Sequence, residues 1–335
     1  MPVLTASTTI RQSPVLLITA RDRALREVLP KGAPVVRVCR GVVAPKREWE
    51  ALRPWERYLA RVHAVALTHP GVVFTLESAA ALLGMPLFGE PRHVHVLAVT
   101  GKSRQFDGVV VHSSKGQPDL IELDGHVLTS VAQTTVDLCR VLPPAFALAT
   151  ADVLLRAAAA AGEATIDLRK HARATANRRG LRQVDWVAAR ASAAAESPGE
   201  SVSRAVIEWL GYEEPEPQEV FHFEDVEDRV DFFFRRVRVA GESDGYGKYD
   251  ADDAEASKQH FVDEKRREDR LRRHLGGFAR WDWADAMRFE PLDRALRSAG
   301  LSPLYPRHAA MLATLKSNPR SLPPVASSRR PPGER

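Results

Sequence analysis

The chain has 335 residues, of which 44% are hydrophobic and 27% charged; these are ordinary values for a globular protein, and the length suffices for two domains with cores of their own. A formal net charge of +5 permits an anionic partner without requiring one. The two cysteines, Cys39 and Cys139, lie too far apart to suggest a disulfide framework. The first residues lack a long apolar run, which predicts a cytoplasmic protein without a membrane span.

The first 48 residues predict a short helix followed by a β-ribbon. The stretch "TARDRALREVLP" has a helical pattern, and "APVVRVCRGVVAP" predicts two strands around Arg40 and Gly41. A helix that leads into a glycine-centred ribbon is typical of the end of a winged helix. Because a complete winged helix also has a separate recognition helix, we predict a degenerate winged-helix region over residues 1–48. Candidate phosphate contacts are Arg21, Arg23, Arg26 and Arg40.

Residues 49–178 predict a small α/β region. Two helical segments, "REWEALRPWERYLARVHAVALTHP" and "TLESAAALLG", precede three β-type runs, "RHVHVLAV", "GVVVHSS" and "LIELDGHVLTS". A helical stretch broken at Pro143 and Pro144 follows, and then a further helical pair around the arginine-rich turn "NRRG". Residues 179–195 form the predicted linker helix. His93 and His95 share a strand face but have no third ligand nearby, which favours a core or surface role over a metal site.

Residues 196–290 predict a second domain with the element order α-β-β-β-α-β. The helix "GESVSRAVIEWLGY" presents Val202, Val206, Trp209 and Leu210 on one face. The strand "QEVFHF", the hairpin "RVDFFFRRVRVAGESDG", a long charged helix and the strand "GFARWDW" come next. This is the core order of the restriction-endonuclease-like fold.

The rest of the chain predicts a helical extension over residues 291–316 and a disordered, basic, proline- and serine-rich tail over residues 317–335. The predicted fold class is therefore mixed α/β (α+β). A degenerate winged helix and a small α/β part come first, and a mixed sheet flanked by helices comes last.

The hairpin of the second domain carries a candidate acidic site. With the turn at Arg236 and Val237, Asp231 lies opposite Glu242, and opposed residues have β-carbons about 5 Å apart. The two-residue period places Asp244 on the same face as Glu242. Such a cluster of carboxylates repels itself unless a cation binds between them, and oxygen ligands suit Mg²⁺ or Mn²⁺. A bound ion of this kind activates water and stabilises charge on a phosphodiester.

An ordinary explanation stays open beside this one. In it, Arg235, Arg236 and Arg238 pair with the acids on a solvated surface. The apolar run "FFF" argues that the hairpin is central to its sheet, where unpaired acids are costly.

The segment from about Glu196 to Met287 resembles the very-short-patch-repair-endonuclease-like domain of unknown function found in many actinobacterial proteins. The resemblance rests on "ESPGESVSRAVI", "PEPQEV", "RVDFFF", "ESDGYGKY", "EKRREDRLRRHLG" and "ARWDWADAM". That domain has the PD-(D/E)XK nuclease fold. The resemblance implies that Asp231 and Glu242 are the two catalytic acids, and that Glu200 and Gln218 support them.

One position departs from the nuclease pattern. The usual lysine follows the second acid by two residues, and Asp244 occupies that place. Lys248 is the candidate replacement from the following loop. The predicted catalytic set is therefore Asp231, Glu242, Lys248, Glu200 and Gln218, and the predicted metal ligands are Asp231, Glu242 and Asp244.

The charged helix "DEKRREDRLRRH" has two explanations. Pairs such as Glu264 with Arg267 stabilise an exposed helix by a few tenths of a kcal/mol. Alternatively, Arg266, Arg270 and Arg273 contact phosphates.

The N-terminal half resembles the AbiEi-type antitoxin and transcriptional-regulator family. The matching stretches are "RGVV", "TLESAAALLGMPL", "HVHV" and "VLTSVAQTTVDLCRVLPPAFALATADVLLR". Two functions follow from the resemblances. One is a DNA-directed, Mg-dependent endonuclease-like protein connected with defence or toxin–antitoxin systems. The other is a non-catalytic DNA-binding antitoxin or regulator that uses the nuclease fold as a scaffold, with a cognate toxin as a further partner.

Overall fold

The structure, a computed structural model, describes residues 9–19, 32–98, 102–114, 116–164, 166–245 and 254–323, with the backbone alone for 254–261. Within these residues it is a mixed α+β protein, as predicted, with three sheets that combine antiparallel and parallel strand pairs. The helix expected from "TARDRALREVLP", including Arg21, Arg23 and Arg26, falls outside the described residues except for its first position. Both cysteines are free thiols.

The first sheet contains the predicted ribbon and has the strand order β1-β3-β2. The ribbon turns at Arg40 and Gly41, and Gly41 has a φ of +83° that suits glycine. Its buried face, Val42 and Ala44, belongs to the same hydrophobic cluster as Ala60 and Ala64 of the helix over residues 54–68. These elements are β1 (Ile18–Thr19), β2 (Val35–Cys39), β3 (Val42–Pro45), α1 (Lys46–Ala51) and α2 (Pro54–Thr68).

The sequence predicts a single helix here, whereas the structure has two, α1 and α2. Arg53 is extended, with a ψ of 159°, and α2 begins at Pro54. A proline disfavours the helical conformation of the residue before it and cannot donate a hydrogen bond from its own nitrogen. The chain therefore breaks one helix and starts another.

The second sheet has six strands in the order β6-β7-β5-β4-β9-β8. The predicted run "LIELDGHVLTS" is a hairpin rather than one strand. Asp124 and Gly125 both have positive φ angles, of 49° and 73°, as in the tight turns that join paired strands. The strands are β4 (Val73–Phe74), β5 (Val94–Ala98), β6 (Arg104–Phe106), β7 (Val109–Ser113), β8 (Leu120–Leu123) and β9 (His126–Thr129).

Helices cover this sheet and connect it to the second domain. The break at Pro143 and Pro144 lies where the sequence predicts it. The helices are α3 (Leu76–Leu82), α4 (Val131–Val141), α5 (Pro144–Ala160), α6 (Leu168–Ala174) and α7 (Leu181–Ala188).

The second domain has the predicted order of elements. Its sheet is β10-β11-β12-β13; the last pair is parallel and the others antiparallel. The predicted apolar face of the first helix, Val202, Val206, Trp209 and Leu210, is buried. The elements are α8 (Pro198–Trp209), β10 (Glu216–Phe223), β11 (Val226–Phe234), β12 (Val239–Asp244), α9 (Ala254–His274) and β13 (Gly277–Asp282).

The two domains share one hydrophobic core. Helix α5 packs against α8, and Leu154 and Val206 belong to the same buried cluster. Beside them, buried Asp152 accepts a hydrogen bond from Arg204 at 3.2 Å and one from the Ser192 N–H at 2.8 Å.

The C-terminal segment returns to the first domain. Helix α10 (Trp283–Arg288) ends the second domain, and the extension contains α11 (Glu290–Ser298), α12 (Ala309–Ala313) and a 3-10 turn (Thr314–Lys316). Ser321 then forms a β-bridge with Pro91, and Arg320 forms a two-pronged ion pair with buried Glu77. The expectation of a disordered tail from residue 317 is therefore wrong for residues 317–323, because this segment finds backbone and charge partners. Residues 324–335 lie outside the described part.

Candidate active site

The predicted hairpin register is confirmed. Strand β11 pairs with β12 through Phe232 opposite Gly241 and Phe234 opposite Val239, which continues to Asp231 opposite Glu242. The main-chain N–H of Ser243, next to Glu242, donates to Asp231 Oδ2 at 2.9 Å. Asp231 is thus held by the backbone of β12, the strand that carries Glu242.

Gln218 extends this row to a third strand. The β10–β11 register, with Pro217 opposite Phe232 and Glu219 opposite Val230, places Gln218 beside Asp231. Gln218 has a φ of 57° and interrupts the regular ladder. A non-glycine residue in this conformation is uncommon, and such residues are enriched at binding and catalytic sites.

Glu200 approaches the row from the first turn of α8. Ser197 caps that helix by accepting a hydrogen bond from the Glu200 N–H at 3.1 Å. The Glu200 carboxylate accepts hydrogen bonds from Gln218 Nε2 at 3.0 Å and from the Glu196 N–H at 2.7 Å. The structure therefore brings together Glu200, Gln218, Asp231 and Glu242, the four residues that the resemblance implies.

Burial and mutual repulsion act on these acids. Burial, and after it the charge of Asp231, raises the pKa of Glu242 to about 7, against the opposing effect of Arg267. Burial also raises the pKa of Glu200; the hydrogen bond from Glu196 opposes this shift and the charge of Asp231 adds to it. A carboxyl group whose pKa lies near neutral pH, beside a second carboxylate, is typical of functional sites.

Two arginines that the sequence analysis did not place in the site bind its acids. Arg267 of α9 donates to Glu242 at 2.6 Å. Arg280 of β13 donates to both Asp244 oxygens, at 2.7 and 2.9 Å. Glu264 joins the two arginines, at 3.4 Å from Arg267 and 2.8 Å from Arg280.

The structure thus places the third predicted metal ligand, Asp244, against Arg280. Asp244 is half exposed at the end of β12, and its carboxylate forms an ion pair with Arg280. Within the described part of the chain, no three His, Cys, Asp or Glu side chains are placed to hold a metal ion together. Lys248 lies outside the described residues.

The chemistry of the remaining donor set fits Mg²⁺. Asp231 and Glu242 supply hard oxygen donors on adjacent strands, and Mg²⁺ is commonly bound through one or two carboxylates together with water and phosphate oxygens. The pKa of Glu242 is raised by burial and, second, by the charge of Asp231, and a nearby cation would oppose both effects.

The ordinary explanation for the hairpin acids is wrong in its choice of arginines. Arg235 pairs with Glu216 and Glu219, and Arg236 pairs with Glu213. Both therefore bind acids of β10 or of the segment before it.

The inward turn of Arg267 has a signal in the sequence. Leu271 and Leu275 are buried and define the inner face of α9, and one helical turn before Leu271 that face reaches Arg267. The helical period thus distinguishes Arg267 from its solvated neighbours. The pattern of charges alone does not.

The predicted phosphate contacts are distributed over several surfaces. Arg40 is exposed at the ribbon turn, and Arg266 is exposed beside Asp263 at 3.6 Å. Arg270 forms two 2.7 Å hydrogen bonds with buried Asp228. Arg273 binds both oxygens of Glu224. The last two side chains are therefore committed to carboxylates.

Of the two histidines, His95 takes a core role in β5, whereas His93 lies just before that strand and is half-buried. His95 is buried, with its Nδ1 3.0 Å from His112 Nε2 and its Nε2 3.1 Å from Arg320. Burial lowers the pKa of His95 to about 3, so the ring is neutral.

Comparison of the chain with protein-family models, with curated proteins and with solved structures finds no match. No helix in the described residues combines the length and the apolar character that crossing a bilayer requires.

Proposed function

We propose that this protein is a DNA-directed, Mg²⁺- or Mn²⁺-dependent endonuclease-like enzyme of the PD-(D/E)XK type, connected with defence or toxin–antitoxin systems. The observation that carries the proposal is the row Gln218–Asp231–Glu242 across three adjacent strands, with Glu200 hydrogen-bonded to Gln218. Burial, and after it the charge of Asp231, raises the pKa of Glu242 in this row to about 7.

Asp231 and Glu242 would hold the ion, whose chemistry is to polarise a phosphodiester and lower the pKa of water. The residues of the chain prepare this site. Gln218 orients Glu200, and the Ser243 N–H orients Asp231. Glu242 can hold or release a proton near neutral pH. Arg267 donates a hydrogen bond to Glu242 and offsets its charge.

The proposal is tested by cleavage of supercoiled, linear and single-stranded DNA with Mg²⁺ or Mn²⁺. Asp231→Asn should lower the cleavage rate by about a hundredfold or more, since it removes a fixed charge from the reacting centre. Asp225→Asn is the matched control, because Asp225 lies exposed in the turn between β10 and β11 of the same domain. Absence of cleavage with every substrate and ion, or equal rates in the wild type and Asp231→Asn, would contradict the proposal.

A second function, a non-catalytic DNA-binding antitoxin or regulator, is favoured by a specific observation. Arg267 and Arg280 each neutralise an acid of the hairpin, which is the arrangement of a structural ion-pair network. In such a protein, the nuclease fold serves as a scaffold and the partners are DNA and a cognate toxin.

Replacement of Arg267 separates the two functions. In a nuclease, Arg267→Ala frees Glu242 and should increase the rise in melting temperature that Mg²⁺ produces. In a scaffold, the same change leaves a buried carboxylate unpaired and lowers stability, and Mg²⁺ does not restore it.

A further inference from the structure

Residues 166–190 carry a concentration of positive charge outside the site described above. This segment contains seven arginine and lysine residues and two aspartates. Its net charge of +5 equals the formal net charge of the whole chain. Residues 166–190 are therefore one of the strongly basic segments of the chain.

The fold directs this charge outward. Helices α6 and α7 bury Leu168, Ala172, Val184 and Val187 against the first domain. The opposite side and the connecting turn expose six basic residues, which we call the α6–α7 basic surface: Arg169, Lys170, Arg173, Arg178, Arg179 and Arg182.

Few carboxylates neutralise this surface. Asp185 pairs with Arg169 and Arg173, and Asp167 caps α6 by accepting a hydrogen bond from the Lys170 N–H. Among the described residues, no acidic side chain pairs with Lys170, Arg178, Arg179 or Arg182. The arginines of α9 differ, since Arg267, Arg270 and Arg273 each bind a carboxylate.

Hydrogen bonds from α4 fix the turn between α6 and α7. Arg140 of α4 donates to the main-chain carbonyl of Arg179 at 2.6 Å, to that of Ala172 at 2.8 Å and to Thr175 Oγ1 at 3.2 Å. Gly180 has a φ of +71°, and a Cβ there would lie 2.7 Å from the Arg140 carbonyl oxygen. The exposed guanidinium groups therefore project from a fixed backbone.

The surface lacks the features of a single-strand binding site. Such sites stack bases on accessible aromatic rings. Trp186 packs against Trp209 and beneath the guanidinium of Arg190, and His171 lies 3.4 Å from Gln133. A rigid array of cations without accessible rings suits the regular phosphates of a duplex.

We propose that the α6–α7 basic surface binds the phosphate backbone of duplex DNA. This inference extends the proposed function by assigning a DNA-contacting surface, and it does not depend on whether the carboxylate site is catalytic. The α6–α7 basic surface, rather than α9, is then the principal site of phosphate contact.

The test is the binding of the full chain to a short fluorescein-labelled duplex, measured by fluorescence anisotropy in EDTA so that cleavage is suppressed. The triple variant Arg178→Gln, Arg179→Gln, Arg182→Gln should bind at least about tenfold more weakly at 0.1 M salt. Between about 50 and 200 mM salt, the slope of log K against log salt concentration should fall by about 2 to 3, because each phosphate contact contributes about 0.9.

The control variant removes three arginines elsewhere, Arg272→Gln, Arg288→Gln, Arg294→Gln, and should change both quantities much less. The corresponding lysine triple at 178, 179 and 182 should retain most of the binding, which separates lost charge from lost folding. Equal losses in both glutamine triples would overturn the proposal, as would tighter binding to single-stranded DNA, RNA or anionic vesicles than to the duplex. Since no divalent ion is present, this outcome is independent of the cleavage assay.

Discussion

At Glu242 the chain holds a carboxyl group between two opposing influences. Arg267 lies 2.6 Å away and favours the charged form, whereas burial and the charge of Asp231 favour the neutral form. The neutral form is favoured on balance, since the pKa of Glu242 rises to about 7. A buried ion pair can fail to compensate the desolvation of its members, and here a second carboxylate adds to the penalty.

This shift makes the stability of the protein depend on pH. Below the unfolded-state pKa of about 4.3, Glu242 is neutral in both states. As the pH rises to about 7, the unfolded chain releases the proton first, so the free energy of unfolding falls. We expect Glu242→Gln to reduce this fall between pH 4.5 and pH 8 by about 2–3 kcal/mol.

Urea denaturation at the two pH values measures the effect. Glu214→Gln is the control, because Glu214 is exposed before β10 and should leave the pH dependence unchanged. Parallel pH profiles for the wild type and Glu242→Gln would show that the environment of Glu242 does not favour its neutral form.

At the scale of elements, the helical pair α6–α7 depends on an arginine of another helix. Arg140 is buried and satisfies three acceptors, one in α6 and two in the connecting turn. Gln183 of α7 in turn donates to the carbonyls of Cys139 and Leu142 at 2.7 Å. The short helices α6 and α7 are marginal alone, so these bonds fix their relative position.

Arg140→Met should therefore lower the free energy of unfolding by about 2–3 kcal/mol, since buried carbonyls lose a charged donor. Arg179→Ala is the matched control, because Arg140 binds the main-chain carbonyl at that position and the side chain is exposed. Its effect should stay within about 0.5 kcal/mol. Chemical denaturation of both variants is the measurement, and similar losses would refute the role given to Arg140.

Most elements follow from the sequence, and the exceptions have local physical causes. The period of α8, the turn at Arg236 and Val237 and the opposition of Asp231 and Glu242 are all readable from spacing. The hairpin at Asp124 and the break at Pro54 depend on backbone conformations that composition signals only weakly. The partners of Glu242 and Asp244 come from distant elements, and single-sequence spacing does not encode such contacts.

At the scale of the whole molecule, the ion pair between Arg320 and Glu77 anchors the C-terminal segment on the first domain. Glu77 is almost fully buried. Burial alone would raise its pKa, but the hydrogen bonds and charge of Arg320 outweigh this effect and the pKa is lowered. This part of the stability is present above the unfolded-state pKa and is lost as the pH falls.

Removal of Arg320 should be strongly destabilising. Arg320→Ala leaves a buried carboxylate without its main partner, and we expect a loss of about 3 kcal/mol in the free energy of unfolding at pH 7, with a smaller loss near pH 4. Lys316→Ala removes the same charge from a nearby exposed position and should have little effect. Equal Tm values for Arg320→Ala and Lys316→Ala would contradict this account.

The same ion pair has a consequence for the order of events during synthesis. Its partners are 243 residues apart, so Glu77 leaves the ribosome long before Arg320 exists. Until then, Glu77 lacks the guanidinium that pairs with it. Domains generally fold as units from the N-terminus during synthesis. The ion pair of Glu77 therefore forms only after the second domain has been made and the chain has returned to place Arg320 beside Glu77.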